Sequence, residues 1–224
     1  MRLYILPMPL SRESSYWMYP YWGEVVQGLD YFFVERCVRV RPWLQRAGLR
    51  SEAQLFEYNA DYGDWDMEAY HQVFSSRAPA ALLSEVGLAG VADPGYTVVR
   101  RAHAEGYTVV PLAGPSSITL ALSASGLEGQ RFTFWGYPPL EKKSRYRFLR
   151  EVLKQAHFST QILMETPARN NLLLEELLNQ APPELYLCIA HHLTALDGFI
   201  QTKPVGLWKP TKLPKAPTLF LLGR

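Results

Sequence analysis

Cysteine is almost absent. Cys37 and Cys188 are the only two in 224 residues, which excludes a disulfide framework and a cysteine-rich zinc site. Nucleotide signatures are missing as well: no G-x-G-x-x-G follows the first apolar run and no Walker A sequence occurs, so neither a classical Rossmann enzyme nor a P-loop enzyme is expected. There is no Ser-centred nucleophile elbow. Charged residues make up only 20% of the chain and nearly cancel, at +2, so net charge alone points to no partner. The opening MRLYILPMPL has one basic residue and an apolar run broken by Pro7 and Pro9, too short for a secretory signal or a membrane span. Arg, Glu or Pro interrupts each later apolar stretch before it reaches membrane length. The expectation is a cytoplasmic protein with no membrane segment, and no repeat or low-complexity tract is evident.

What the chain does have is 48% hydrophobic residues, enough at this length for a sizeable core without metals or disulfides. RLYIL (2–6), DYFFVE (30–35), AALL (80–83), YTVVPL (107–112) and RFTFWGY (131–137) read as strands. Between them VRVRPWLQRAG, DWDMEAYHQVF, YTVVRRAHAEG and ITLALSASG have apolar positions at helical spacing, and several end at Gly. Further on, EKKSRYRFLREVLKQ reads as a basic amphipathic helix and STQILME (159–165) as a strand. PARNNLLLEELLNQ reads as a helix with Pro167 in its first turn, and ELYLCIA and APTLFLLG as strands. The Lys/Pro-rich stretch 203–215 reads as a loop with an edge strand. Strands separated by helices imply an α/β protein with mainly parallel pairing. A boundary near Ala113 gives an N-terminal α/β domain over 1–113 and a C-terminal one over 114–224, with a crevice between them.

Most polar clusters have a structural explanation. Asp61, Asp64 and Asp66 precede a helix and read as caps and dipole partners. His191 and His192 are adjacent on a strand, so they point to opposite faces and make a poor metal pair. No metal site is expected. The turns Asp93-Pro94-Gly95 and Gly114-Pro115-Ser116-Ser117 differ, because each follows a strand and opens a helix. Backbone N–H groups at such junctions, with the helix dipole behind them, hold a carboxylate, a phosphate or a ribose edge. Small residues (Gly87, Ala89, Gly90, Gly114) let a ligand approach the backbone. Two such turns at neighbouring strand ends point to a binding crevice.

The stretch LLSEVGLAGVADPGYTVVRRAHAEGYTVVPLAGPSSITLALSASGLEGQRFTFWGYPP (82–139) resembles the middle of the ribosomal RNA small-subunit 2′-O-ribose methyltransferase I family, within the tetrapyrrole-methylase superfamily. The family reads S-D-A-G-T-P-x-I-S-D-P-G there, then V-V-P-x-P-G-P-S-A, A-L-x-x-S-G-L and R-F-x-F-x-G-F-x-P. PLEKKSRYRFLREV matches its basic helix, LMETPARNNLLLEEL its E-S-P-x-R segment, IAHHLT its R-E-L-T, and YFFVERCVRVRPWLQRAGL its E-D-T-R helix. The resemblance covers nearly the whole chain. The departures are PMPLSRES in place of a glycine-containing N-terminal loop, Glu85 for Asp, Leu88-Ala89 for T-P, Arg36 for an acid, and His191-His192 for Arg-Glu.

This resemblance implies a tetrapyrrole-methylase-like fold, two α/β domains holding S-adenosylmethionine in the crevice between them, a homodimer, and 2′-O-methylation of a ribose in small-subunit ribosomal RNA. A tetrapyrrole or other small molecule as acceptor is the second expectation, and a catalytically silent cofactor- or RNA-binding relative the third. Carried over by position, Ser84, Glu85, Val86 and Gly87 line the cofactor, while Asp93, Ser116 and Ser117 close its pocket. Glu165, Thr166, Ala216, Pro217 and Thr218 approach from the second domain. Glu35 is the candidate base or positioning acid, a salt bridge to a neighbouring arginine being its alternative. Lys142, Lys143, Arg145, Arg147 and Arg150 on one helix, and Arg36, Arg39, Arg41 and Arg46 on another, are candidates to track RNA phosphates, against the alternative of a solvated helix face. Trp135, Tyr137 and SYWMYPYWGE (15–24) are candidates to stack on bases, against core packing.

Overall fold

A computed structural model describes residues 1–14, 19–58, 67–209 and 211–224. Asp61, Asp64 and Asp66, and residues 15–18 of the aromatic run, lie outside the described residues. The chain divides into two compact units, Met1–Ser116 and Ser117–Arg224.

The first unit is β1 (Arg2–Ile5), α1 (Tyr19–Gln27), β2 (Tyr31–Val34), α2 (Cys37–Arg46), β3 (Gln54–Glu57), α3 (Met67–Ser76), β4 (Ala80–Leu83), α4 (Tyr96–Ala104) and β5 (Thr108–Pro111). Its sheet runs in the order β3-β2-β4-β1-β5, with every pairing parallel. A wholly parallel sheet needs cover on both faces, and alternation along the strands provides it. Phe32, Val34, Ala81 and Leu83 face Trp22, Val26, Val40 and Leu44 on α1 and α2. Phe33, Ala80 and Leu82 face Tyr70, Val73, Phe74 and Val98 on α3 and α4. The all-apolar AALL forms the central strand, buried at all four positions, and the half-exposed QLFE and TVVP lie at the two edges.

The second unit is α5 (Ser117–Ser125), β6 (Phe132–Gly136), α6 (Lys142–Gln155), β7 (Thr160–Glu165), α7 (Asn170–Gln180), β8 (Tyr186–His191), β9 (Phe199–Pro204) and β10 (Thr218–Gly223). Its sheet order is β6-β7-β10-β8-β9. Here the expectation of mainly parallel pairing needs correction. Only β6–β7 is parallel, while β10 is antiparallel to both β7 and β8, and β8 to β9. The helical crossover from β7 to β8 leaves a gap one strand wide, and β10, arriving by a loop instead of a helix, fills it in the opposite sense. One face packs on α6 and α7 through Leu149, Leu163, Leu173, Ile189 and Phe220. The other packs on α5 through Ile118, Leu122, Ile162, Cys188 and Leu221.

Smaller corrections follow from local chemistry. Pro167 stands in the turn ahead of α7, which opens at Asn170, because the Arg169 N–H closes that turn on Thr166 O. The edge strand β9 ends at Pro204, just where the Lys/Pro-rich stretch begins, and a short 3-10 turn, Val205–Leu207, follows it. Helix α1 and strand β3 go beyond the sequence reading.

Candidate functional site

Because the first sheet is parallel, all its carboxyl ends lie along one edge, but β1 stands between β4 and β5, so the two Gly/Pro turns do not follow neighbouring strands as expected. The chain leaves β2 toward β3 and leaves β4 toward β5, in opposite directions, so the neighbouring pair β2/β4 is a topological switch point, where open α/β sheets bind ligands. Glu35 follows β2 and Ser84 follows β4. The Glu35 N–H donates to Leu83 O at 3.0 Å, and Glu35 Oε2 accepts the Glu85 N–H at 2.8 Å. The Glu85 carboxylate lies 3.2 Å from Arg36 Nε and 3.9 Å from Arg39 Nε. Residues 35 and 36 thus hold Glu85 by its backbone and by its side chain. Glu35 itself makes no ion pair among the described residues, so the salt-bridge alternative is not what the fold builds.

The turn after β4 is closed from several sides. Ser84 Oγ donates to Val86 O at 3.0 Å. Gly87, at φ +74°, exchanges backbone bonds with Met8 at 2.7 and 3.1 Å. Val86 is left 55% exposed, an apolar side chain at the strand end. Asp93 turns both oxygens back on its own loop: the Gly90 N–H lies 2.9 Å from Oδ1 and 3.0 Å from Oδ2, and the Gly95 N–H 2.7 Å from Oδ1. A Cβ on Gly95 would come within 2.7 Å of Asp93 Oδ1. Asp93 is thereby a residue that shapes the loop. Tyr58, following β3, donates its hydroxyl across the β2 end to Leu83 O at 2.9 Å.

These groups form one electrostatic cluster. Burial raises the Glu35 carboxyl above its ordinary value; the Glu85 N–H pulls it down, the Asp93 and Glu85 charges push it up, and Arg36 opposes them. Burial likewise raises Asp93, against the Gly90 and Gly95 N–H groups. Tyr58 is raised by burial and by the charges of Asp93 and Glu35.

In the second unit, Glu165, Thr218 and His191 stand in one cross-strand row at the ends of β7, β10 and β8, all three buried. Glu165 Oε1 accepts the Thr166 N–H and an Arg169 Nη2 N–H, both at 2.6 Å. Ala216 is buried, Thr166 and Pro217 exposed. Ser117 opens α5, whose first turn holds no acidic side chain.

Arg145 must be withdrawn from the phosphate-tracking set. It is 6% exposed, its Nε and Nη2 donate to Glu176 on α7 at 2.7 and 2.9 Å, and its Nη1 donates to Leu140 O at 2.7 Å. The spacing explains the inversion, since Arg145 shares its face of α6 with Leu149 and Val152, which meet the core. Lys142, Lys143, Arg147 and Arg150 are exposed, and Lys154 continues them. Lys143, Arg147, Arg150 and Lys154 recur at i, i+4, i+7 and i+11 on one face, without an ion-pair partner among the described residues. Trp135 packs edge-on to Phe148 and donates to Gln161 Oε1 at 2.7 Å, so it belongs to the core. Tyr137 is exposed.

No family model matches the chain. A search of curated proteins gives the ribosomal RNA small subunit methyltransferase I of Escherichia coli O157:H7, 30% identical over 205 residues, spanning 92% of this chain and 70% of that protein. The chain belongs to the ribosomal RNA small subunit methyltransferase I family. Within that family it is also 37% identical to the Vibrio cholerae protein over 126 residues, 56% of this chain and 43% of that one. Among solved structures, the methyltransferase CobJ superposes over 100% of this chain and 93% of its own, with TM-score 0.65 at 16% identity. The cobalt precorrin-4 methyltransferase CbiF superposes over 99% and 94%, with TM-score 0.60 at 12% identity. These two share the fold, a tetrapyrrole-methylase fold of two α/β domains. By family this chain is a methyltransferase.

Of the residues named from the sequence, the structure brings Glu35, Ser84, Glu85, Gly87 and Asp93 to one sheet edge. Sequence reasoning missed Tyr58 and Asn170, and placed His191 only as a structural residue, because their partners are remote in sequence; it also missed Arg169, whose partner Glu165 is four residues away.

Proposed function

We propose that the chain transfers a methyl group from S-adenosylmethionine to the 2′-hydroxyl of a ribose in small-subunit ribosomal RNA. The observation carrying this reading is Glu35: a half-buried carboxylate, without an ion-pair partner among the described residues, at the switch point of a parallel sheet in a chain of this family.

The residues fit such a cofactor. Ser116 and Ser117 stand at the N-terminus of α5, whose first turn holds no acid, a setting that suits a carboxylate. Val86 offers an apolar contact, and Gly87 lets the backbone come close. Ser84, Glu85 and Asp93 shape that turn, while Glu165, Thr166, Ala216, Pro217 and Thr218 supply the edge in the second unit. The cofactor supplies an electrophilic methyl group on a sulfonium. The protein's part is alignment of the acceptor oxygen, worth about 7–11 kcal/mol in favourable cases, and acceptance of the hydroxyl proton by Glu35, worth roughly 10²–10⁴-fold. A desolvated carboxylate is a stronger base than a solvated one, which makes Glu35 fit for that proton.

The stripe Lys143, Arg147, Arg150 and Lys154 spans about 16 Å at 1.5 Å per residue, enough for several phosphates of one strand. It favours RNA over a small acceptor. Two copies are proposed to pair, as the resemblance implies, which light scattering on the eluting protein tests. No described helix is long and apolar enough to cross a membrane.

The deciding experiment supplies labelled S-adenosylmethionine with small-subunit RNA, assembled subunits, or a tetrapyrrole. Label on a ribose 2′-oxygen supports the reading. Label only on the tetrapyrrole, or on nothing, rejects it.

A further inference from the structure

The segment from Ala216 to Thr218 is held at each residue by a different hydrogen bond. Asn170 Nδ2 donates to Ala216 O at 2.6 Å, the His192 N–H to Pro217 O at 2.9 Å, and His191 Nδ1 lies 2.8 Å from Thr218 Oγ1. The single proton of the Thr218 hydroxyl goes to Ala216 O, at 3.1 Å. With its proton there, Thr218 Oγ1 accepts from His191, and the neutral ring is the Nδ1–H tautomer. Nε2 is then a bare acceptor, buried and without a hydrogen-bond partner among the described residues.

Most of that ring's surroundings argue against a charge on it, Asp197 alone favouring one. His192 adjoins it in the chain and Asp197 stands in the loop 192–198, bonded to His192 Nδ1 at 2.6 Å. Phe199 on β9 lies over it, with ring centroids 5.2 Å apart. Thr218 faces it from β10, and Glu165, one strand further along the row, is already paired with Arg169. A proton on Nε2 would find no acceptor in a side chain only 1% exposed. A charged ring is favoured to leave for water, where Nε2–H finds an acceptor, and in leaving it drops Thr218. Burial and His192 lower its affinity for a proton, with Asp197 opposing.

We propose that His191 is a positioning residue for the cofactor edge of the second unit: its neutral Nδ1–H form clamps Thr218, and through Ala216 O the whole segment 216–218, and acid releases that segment. This rests on the cofactor reading of Ala216, Pro217 and Thr218 given above.

The test titrates the full chain with S-adenosylhomocysteine by calorimetry, from pH about 8 down to about 5.5, across the range where histidine titrates. Wild-type affinity is expected to fall about tenfold, the scale of one hydrogen bond. His191→Asn keeps an amide N–H near the place of Nδ1 and does not titrate. It is expected to bind within about threefold of wild type at the upper pH and to lose the pH dependence. His191→Leu and Thr218→Val are each expected to lose about tenfold at every pH, with no further loss when combined. Wild-type affinity in His191→Leu, or the wild-type pH dependence in His191→Asn, overturns the proposal while the cofactor reading stands. Failure of the wild type to bind at any pH overturns both. Nitrogen-15 shifts of the wild-type ring give a check that needs no variant: a neutral ring protonated on Nε2 overturns the tautomer and the clamp with it.

Discussion

At Glu35 the fold accepts a cost, leaving a partly desolvated carboxylate without an ion-pair partner among the described residues, although Arg36 is the next residue and is given to Glu85. Glu35→Gln keeps an acceptor for the Glu85 N–H and removes the charge. Methyl transfer is expected to fall by about 10²-fold or more, with S-adenosylhomocysteine affinity little changed. The melting temperature should stay level or rise, by about 2–4 °C for each ~1 kcal/mol of relieved desolvation. Kinetics and thermal melting on one variant separate the two effects, and equal activity would end Glu35's candidacy. Because the Asp93 charge raises Glu35, Asp93→Asn should move the acidic limb of the pH–rate profile to lower pH. Glu35 and Asp93 were legible in the sequence because each adjoins a strand end or a turn. Tyr58 and His191 were not: their roles depend on partners 25 and 27 residues away, which no local pattern reveals.

Helix α6 shows what a run of charges conceals. Its capping by Glu141, which accepts the Lys143 and Ser144 N–H groups at 2.8 and 2.6 Å, follows from the residues alone, as does its length. Which cation turns inward depends on α7 supplying Glu176, and the sequence reading therefore treated five alike. The two sets now separate experimentally. Arg145→Ala strands Glu176 and should cost about 3 kcal/mol of stability while leaving RNA affinity unchanged in the protein that remains folded. Lys143→Glu with Arg147→Glu should leave the melting temperature within about 2 °C, since exposed charges contribute little. It should also lower the slope of log affinity against log salt by about 1.4–1.8, at roughly 0.7–0.9 per phosphate contact. Filter binding across a salt series reads it, and an unchanged slope removes α6 from the RNA surface. At the same scale, β3 and α1 escaped notice for physical reasons. The strand QLFE is only four residues long and ends on an acid, and α1 carries Pro20 and Gly23, residues that weaken a helix signal.

Over the whole molecule the two units should answer acid in opposite ways. In the first, Glu35 and Asp93 hold protons more tightly folded than unfolded. Their contribution to stability is greatest below the ordinary carboxylate range and is lost as pH rises through their raised values. In the second, His191 holds its proton less tightly when folded, so its contribution is present above the ordinary histidine range and is lost as pH falls through its lowered value. Between pH about 7 and about 5, hydrogen exchange corrected for its intrinsic rate should show protection rising in Met1–Ser116 and falling in Ser117–Arg224. Uniform change in both would contradict the assignment of these groups.

Strand β10 lies at the centre of the second sheet and is buried along its entire length, yet every other strand precedes it in the chain. A ribosome delivers residues in that order, and domains generally fold as units during synthesis, the N-terminal one first. The first sheet has all five strands once Pro111 has emerged. In the second, β7 and β8 must wait, each with an open edge toward the other, until residues 218–223 arrive to join them. A nascent chain halted before Thr218 should therefore carry one finished unit and one unclosed sheet, the state in which a chaperone would find the most to hold.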